Sequence, residues 1–266
     1  MEYQDIVYEK KGHVAKVTIN RPKVLNAFSG RTCLEMVEAF HDAADDPWIG
    51  VLVLAGAGER AFCVGGDLNW EAEATLEEGV IAMGPHTNVY TALSHVPKPT
   101  IAAVRGYAIG GGHVLHLVCD MTIASENARF GQNGPRVGSF NPGWGIGLLK
   151  ELVGIKKAKE IWMLCRQYGA QEALEMGLVN KVVPDDKLEE EVDEWCHEII
   201  ALGPTSLHGV KLQFIRETIM HEANFDAGMY GVAHLEQYST EGAEGRAAFF
   251  EKRKPDFWKA REKFKK

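Results

Sequence analysis

The sequence lacks any CxxC pair, and its cysteines (Cys33, Cys63, Cys119, Cys165 and Cys196) are scattered and odd in number. This is the usage of a reducing compartment, where cysteine serves as a small hydrophobe. No apolar stretch approaches the roughly 20 residues a membrane span needs. The opening residues, MEYQDIVYEKKG, lack the apolar segment of a signal peptide. A cytoplasmic protein with no membrane partner is expected. Basic residues are in deficit, 29 against 37 acidic, giving a net charge of −8 and no basic stripe, so nucleic acid is excluded as a partner. Low-complexity tracts and short-period repeats are absent. So are the familiar phosphate motifs: there is no GxxxxGK[ST], and no GxGxxG with an acidic residue about 20 positions on.

What is present is a globular α/β pattern. The chain has 266 residues, 45% of them hydrophobic, enough for one large domain with an extension. IVYEKKGHVAKVTIN (6–20) reads as a hairpin. Residues 30–47 carry helical spacing and stop at Pro47. IGVLVLAGAG (49–58) is a continuous apolar run, typical of a strand buried on both faces. Residues 68–84, acidic and unpatterned, read as a mobile loop, and 85–96 as a helix. The pattern then repeats: a strand over 100–106, a glycine turn, a helix, a strand over 121–125 and a turn over 130–145. Helices dominate from 146 onward, interrupted by the strand-like NKVVP (180–184). Residues 1–184 are expected to form the core. Residues 185–266 form an apolar helical region that must pack on the core or on another subunit.

Two glycine junctions, CVGGD and AIGGGH, stand about 45 residues apart, each between a strand and a helix. Glycine costs roughly 1 kcal/mol in a helix relative to alanine, so something here needs the backbone itself. Unpaired N–H groups at helix starts, helped by the helix dipole, make an oxyanion hole where two converge. Tight helix packing is the competing explanation for the same glycines.

AFCVGGD, PKPTIAAVRGYAIGGGHVL and FGQNGPRVGS together resemble the crotonase (enoyl-CoA hydratase/isomerase) superfamily. The likeness runs in order from VTINRP to EKRKPDF. It implies an α/β fold, a spiral of repeated ββα units with a helical C-terminal trimerisation region, and assembly as a trimer or hexamer. It also implies an acyl-CoA thioester whose carbonyl is held by the N–H groups of Gly66 and Gly111. Leu25, Ala27, Val64, Gly65 and Asp67 would line the CoA and substrate site from the first turn. Tyr107, Ala108, Ile109, Gly110 and Asn133 would line it from the second, and Lys252 would meet substrate or CoA phosphate.

A hydratase of this superfamily uses two glutamates, and the matching positions here are Val114 and Gly134. Neither transfers a proton, so simple hydration is not expected. GGGHVLHLVCDMTIASENARFGQNGPRVGSF, with the following GWG and KKAKEIWMLCRQYGAQEALEMGLVNKVVP, is closer to two other groups. These are the 1,4-dihydroxy-2-naphthoyl-CoA synthases and the 2-ketocyclohexanecarboxyl-CoA hydrolases. The first make a carbon–carbon bond by a Claisen condensation and the second break one with water, both through a thioester enolate. GGDLNWEAEATLEE lacks the synthases' basic residues, Leu25 replaces their arginine, and GSFNPG carries the hydrolases' proline. Ring-opening hydrolysis of a cyclic β-oxoacyl-CoA is therefore the expected activity. The alternatives are the synthase, or an inactive CoA-binding homologue or assembly subunit.

Asn141 stands where both groups have aspartate, and it accepts no proton at neutral pH. The proton acceptor could be His86, four residues before Tyr90 on one helix face. It could also be a bicarbonate held by Gln132, Gly134 and Trp162, as in one class of synthase. No other cofactor is expected beyond the substrate's coenzyme A. Ser139 matches a substrate-binding serine, and Tyr238 a tyrosine that reaches a neighbouring subunit's site. His113 and His116, three apart with no third ligand nearby, read as a packed pair rather than a metal site.

Overall fold

The structure is a computed structural model that describes residues 3–74, 88–141, 143–217, 223 and 240–260. The alternating N-terminal run folds as expected: β1 (Ile6–Lys11) and β2 (Val14–Ile19) pair antiparallel around Gly12. From β2 the sheet continues in parallel through β3 (Val51–Gly56), β5 (Thr100–Val104), β7 (Met121–Ser125) and β10 (Lys181–Val183). A smaller sheet runs β4 (Ala61–Cys63), β6 (Tyr107–Ile109), β8 (Arg129–Gly131) and β9 (Gln167–Gly169). Each central strand of the large sheet is thus followed by a short strand of the small one.

Helices close these pairs into ββα units. α1 (Gly30–Asp45) precedes the first unit. Its Ser29 cap and Thr32 form a reciprocal pair, tied down by Asp5. α2 (Leu68–Glu73) follows β4, α3 (Val89–Ser94) precedes β5, and α4 (Gly111–Val118) follows β6. α5 (Trp144–Leu164), broken at Gly154 (φ 76°), follows β8. Then come α6 (Ala170–Glu175), α7 (Leu188–Ile200), α8 (Pro204–Glu217), α9 (Thr240–Phe250) and α10 (Phe257–Ala260).

The apolar run of β3 is buried on both faces, because successive side chains point opposite ways. Leu52 and Leu54 join a core with Met36 and Phe40 of α1, Leu93 of α3 and Leu115 of α4. Val51 and Val53 point the other way, onto Leu188, Val192 and Cys196 of α7. The start of the helical tail therefore covers the outer face of the large sheet.

Two sequence expectations need correction, and a third is met as far as it is described. Residues 68–73 are helix rather than loop, because the Asp67 carboxylate accepts from Asn69 N–H and caps six residues too short to show a period. Residues 75–87 lie outside the described residues, so the helix expected over 85–96 is described only from Asn88. Its six residues, Val89–Ser94, are buried all round. The strands β6 and β9 stand where the sequence pattern predicts turn and helix. At three residues each, they carry no alternation that sequence can reveal.

Candidate active site

The two glycine turns leave the ends of β4 and β6, which lie side by side and parallel. Gly65 (φ 95°) places its backbone against the next turn: a β-carbon there would sit 2.8 Å from the Gly111 nitrogen. Gly110 starts α4 with φ 57°, and a β-carbon on Gly112 would collide with the Cys63 carbonyl. The packing explanation of the glycines therefore holds. Gly112 permits close helix–strand packing, while Gly65 and Gly110 bring two backbone turns together.

The hydrogen bonds of these turns run between other groups. Phe28 N–H donates to Gly65 (2.9 Å), Asp67 N–H to Phe28 (2.9 Å), Gly110 N–H to Gly131 (3.0 Å) and Val114 N–H to Gly110 (3.1 Å). The N–H groups of Gly66 and Gly111 take no part in them. Gly111 is the first residue of the eight-residue α4, whose dipole adds positive character there. Two neighbouring backbone donors are what a thioester oxyanion requires.

Tyr90 of α3 stands over this point. A β-carbon on Gly111 would meet its hydroxyl at 2.7 Å and the Phe28 ring at 2.6 Å. The hydroxyl donates to the Gly111 carbonyl at 3.4 Å and accepts from Asn141 Nδ2 at 3.3 Å. Burial pushes the Tyr90 pKa up, opposed by the Asn141 donor, so the phenol stays protonated at neutral pH. Asn141 Oδ1 is buried and has no partner among the described residues.

Neither position that lacks a carboxylate is spacious. Val114 is fully buried. A β-carbon on Gly145 would meet Val114 Cγ2 at 2.8 Å, Trp162 at 3.3 Å and Asn141 Cβ at 3.7 Å, so these three side chains enclose one spot. Gly134 is backed by the Ser139 carbonyl and the Phe140 α-carbon, at 2.7 and 2.9 Å from its would-be β-carbon. Ser139 N–H also donates to the Gly134 carbonyl, at 2.9 Å. Asn133 precedes that turn, and its carbonyl accepts from Arg136 N–H. Gln132 is buried with neither amide atom partnered, and the Trp162 indole N–H is buried and likewise unpartnered among the described residues. Two such donors fit a small oxyanion such as bicarbonate.

Leu25 and Ala27, expected to line the CoA side, sit at a strained turn. Leu25 and Asn26 both adopt positive φ (55° and 57°). Asn26 holds them by donating to the Ala57 and Ala61 carbonyls (3.0 and 2.7 Å) and accepting from Arg21 N–H (3.0 Å). A small cavity of about 120 Å³ lies between this turn and residues 57–61. Ala27 is buried beside it and accepts from Arg21. The Asp67 carboxylate is taken up by Arg21 (2.9 Å) and by its own helix cap. The Val64 carbonyl lies against Gly110, at 3.6 Å from a would-be β-carbon. Tyr107 is exposed, whereas Ala108 and Ile109 are buried in β6.

Other candidates fall elsewhere. Lys252 is exposed, in a left-handed turn just past α9. His86 and Tyr238 lie outside the described residues. His113 and His116 do form a packed pair, 3.2 Å apart, with His116 also bonded to Thr122. Burial lowers the His113 pKa to about 3 and that of His116 well below its usual value.

One site residue escaped sequence reading. Glu71 projects from α2 back over Gly66, so a β-carbon on Gly66 would collide with its carboxylate oxygen and lie 3.0 Å from Cδ. The available signal was the Asp67 cap. It starts a helix and sets residue 71 one turn on, where Glu71 N–H donates to the Asp67 carbonyl at 2.9 Å.

Residues 9–261 match the enoyl-CoA hydratase/isomerase family model. Among solved structures, the enoyl-CoA hydratase/isomerase from Pseudoalteromonas atlantica T6c is 30% identical with a TM-score of 0.87. The match covers 96% of this chain and 100% of that one. The enoyl-CoA hydratase/isomerase from Xanthobacter autotrophicus Py2 is 35% identical (TM-score 0.80, covering 94% and 93%). Carnitinyl-CoA hydratase from Mycobacterium avium is 32% identical (TM-score 0.82, covering 95% and 98%). The chain belongs to the enoyl-CoA hydratase/isomerase family, and is an acyl-CoA enzyme of the crotonase superfamily.

Proposed function

We propose that this enzyme opens the ring of a cyclic β-oxoacyl-CoA by adding water across a carbon–carbon bond. The observation that carries this reading is that the N–H groups of Gly66 and Gly111 stay out of the turn hydrogen bonds, while Val114 and Gly134 stand where a hydratase has its glutamates. Val114 is fully buried and Gly134 is backed by main chain. An enzyme that stabilises a thioester enolate without a hydratase's acid and base is suited to Claisen-type chemistry.

In this mechanism Gly66 and Gly111 hold the thioester oxygen. Asn141, anchored to Tyr90, turns its unpartnered Oδ1 toward the water or the ketone's hydrate, with Ser139 on the same turn. The bond between the ketone carbon and the α-carbon breaks, and its electrons enter the thioester as an enolate. Bicarbonate held by Gln132, Gly134 and Trp162 would supply a carboxylate-like proton acceptor when bound. His86 is the rival acceptor. Coenzyme A enters only as part of the substrate.

The Claisen synthase is the second reading, favoured by the same buried donors of Gln132 and Trp162. An inactive CoA-binding homologue or assembly subunit is the third. Incubating the protein with both substrate types and identifying products by mass spectrometry separates the three. Ring opening supports the proposal, a condensed dihydroxynaphthoyl-CoA the second reading, and no product the third. Residues 185–266 would serve assembly into a trimer or hexamer, in the cytoplasm. Exposed apolar side chains on α5, α8 and α9 (Ile155, Met163, Phe214 and Phe249) support such an interface.

A further inference from the structure

We infer that Glu71 is the carboxylate that moves the proton at the thioester α-carbon. The inference rests on reading the site as one that holds an acyl-CoA enolate, but not on the ring-cleaving step.

Three expected positions, Val114, Gly134 and Asn141, carry no carboxylate, and the Asp67 carboxylate is bound to Arg21. Glu71 reaches the same place from another element. Its carboxylate touches Gly66, and its charge is felt by Tyr90, whose hydroxyl touches Gly111. The two side chains therefore flank the two backbone donors. A thioester oxygen accepted by those donors lies about 3 Å from them, and the α-carbon is only two bonds beyond that oxygen. A carboxylate against Gly66 is within one side-chain rotation of the α-proton. Val114, Trp162 and Asn141, which enclose one spot beside Gly145, offer no carboxylate.

In ring opening, one carboxylate suffices, and Glu71 takes the place of bicarbonate and His86 as the proton acceptor. The water oxygen bonds to the ketone carbon while a water proton passes to Glu71. The bond from that carbon to the α-carbon breaks, and its electron pair becomes the enolate. Glu71 then returns the proton to the α-carbon. The new carboxylic acid ionises to solvent, and no oxidant or reductant is needed.

The test uses cyclohexanecarboxyl-CoA, which has an α-proton but no ring ketone, in D₂O with the intact protein. The wild type should incorporate one deuterium at the α-carbon, read by mass spectrometry. Glu71→Gln should slow exchange at least 100-fold while its Kd for the thioester, by calorimetry, stays within threefold. Glu71→Asp should restore part of the rate. Gly66→Ala displaces the carboxylate without altering Glu71 and should slow exchange as well. Absence of exchange by the wild type, undiminished exchange by Glu71→Gln, or a parallel loss of affinity overturns the inference. Ring opening fails separately, if exchange is observed but a cyclic β-oxoacyl-CoA stays closed.

Discussion

Gly65 and Gly66 are neighbours in sequence yet stand under different constraints. At Gly65 a side chain meets main chain and a left-handed φ. At Gly66 it meets only the end of the flexible Glu71 side chain. Gly65→Ala should therefore destabilise the protein by roughly 2 kcal/mol or more. Gly66→Ala should fold with nearly wild-type stability and show its defect in proton transfer. Urea unfolding of the two variants checks this, and equal stabilities would contradict it. Val114 and Gly134 give a second prediction. Crotonyl-CoA should be hydrated at least about 10³-fold more slowly than by relatives that carry both glutamates, since general acid and base are each worth 10²–10⁴. Rapid formation of 3-hydroxybutyryl-CoA in a coupled assay would show that another pair of groups hydrates. The glycines and the missing glutamates were legible in the sequence because motif order marks them. Glu71 was not, because it looked like one acid among many until a helix placed it over Gly66.

Among the elements, α4 carries both Gly111, the proposed oxyanion donor, and a buried histidine pair. Burial holds the folded-state pKa values of His113 and His116 below their unfolded values. Below about pH 6.5 the unfolded chain binds protons that the fold excludes. Stability from this pair is therefore full above about pH 6.5 and falls as the pH drops toward 3. Each histidine should contribute a slope of about 1.4 kcal/mol per pH unit in that window. Urea midpoints at pH 7 and pH 5 should show the loss, and His116→Asn should reduce the slope. A flat profile between those values would mean that the pair is protonated in the fold. The long elements, α1, β3 and the N-terminal hairpin, were readable from periodicity. The small sheet was not, since strands of three residues are set by pairing with one another rather than by their own pattern.

The whole molecule leaves apolar surface on α5, α8, α9 and α10, including Met163, Phe214, Phe249 and Trp258. Burial of that surface between copies should give a solution mass of three or six times one chain, by light scattering. A monomer at working concentration would contradict it. If Tyr238 reaches a neighbouring site, inactive Tyr238→Phe and Ser139→Ala subunits should regain part of the activity when mixed, and no regain would confine Tyr238 to its own subunit. The tail's helical character was evident in the sequence. Its packing was not: α7 covers the large sheet, and α9 closes on the 137–138 turn through Gly245, whose β-carbon would strike the Val137 carbonyl. The most direct test of the account is turnover of a cyclic β-oxoacyl-CoA in H₂¹⁸O, followed by mass spectrometry. The account predicts an open-chain product still joined to coenzyme A, heavier by one labelled water, with the label in the new carboxylate. Release of free coenzyme A with the ring intact, or an unchanged substrate, would contradict it.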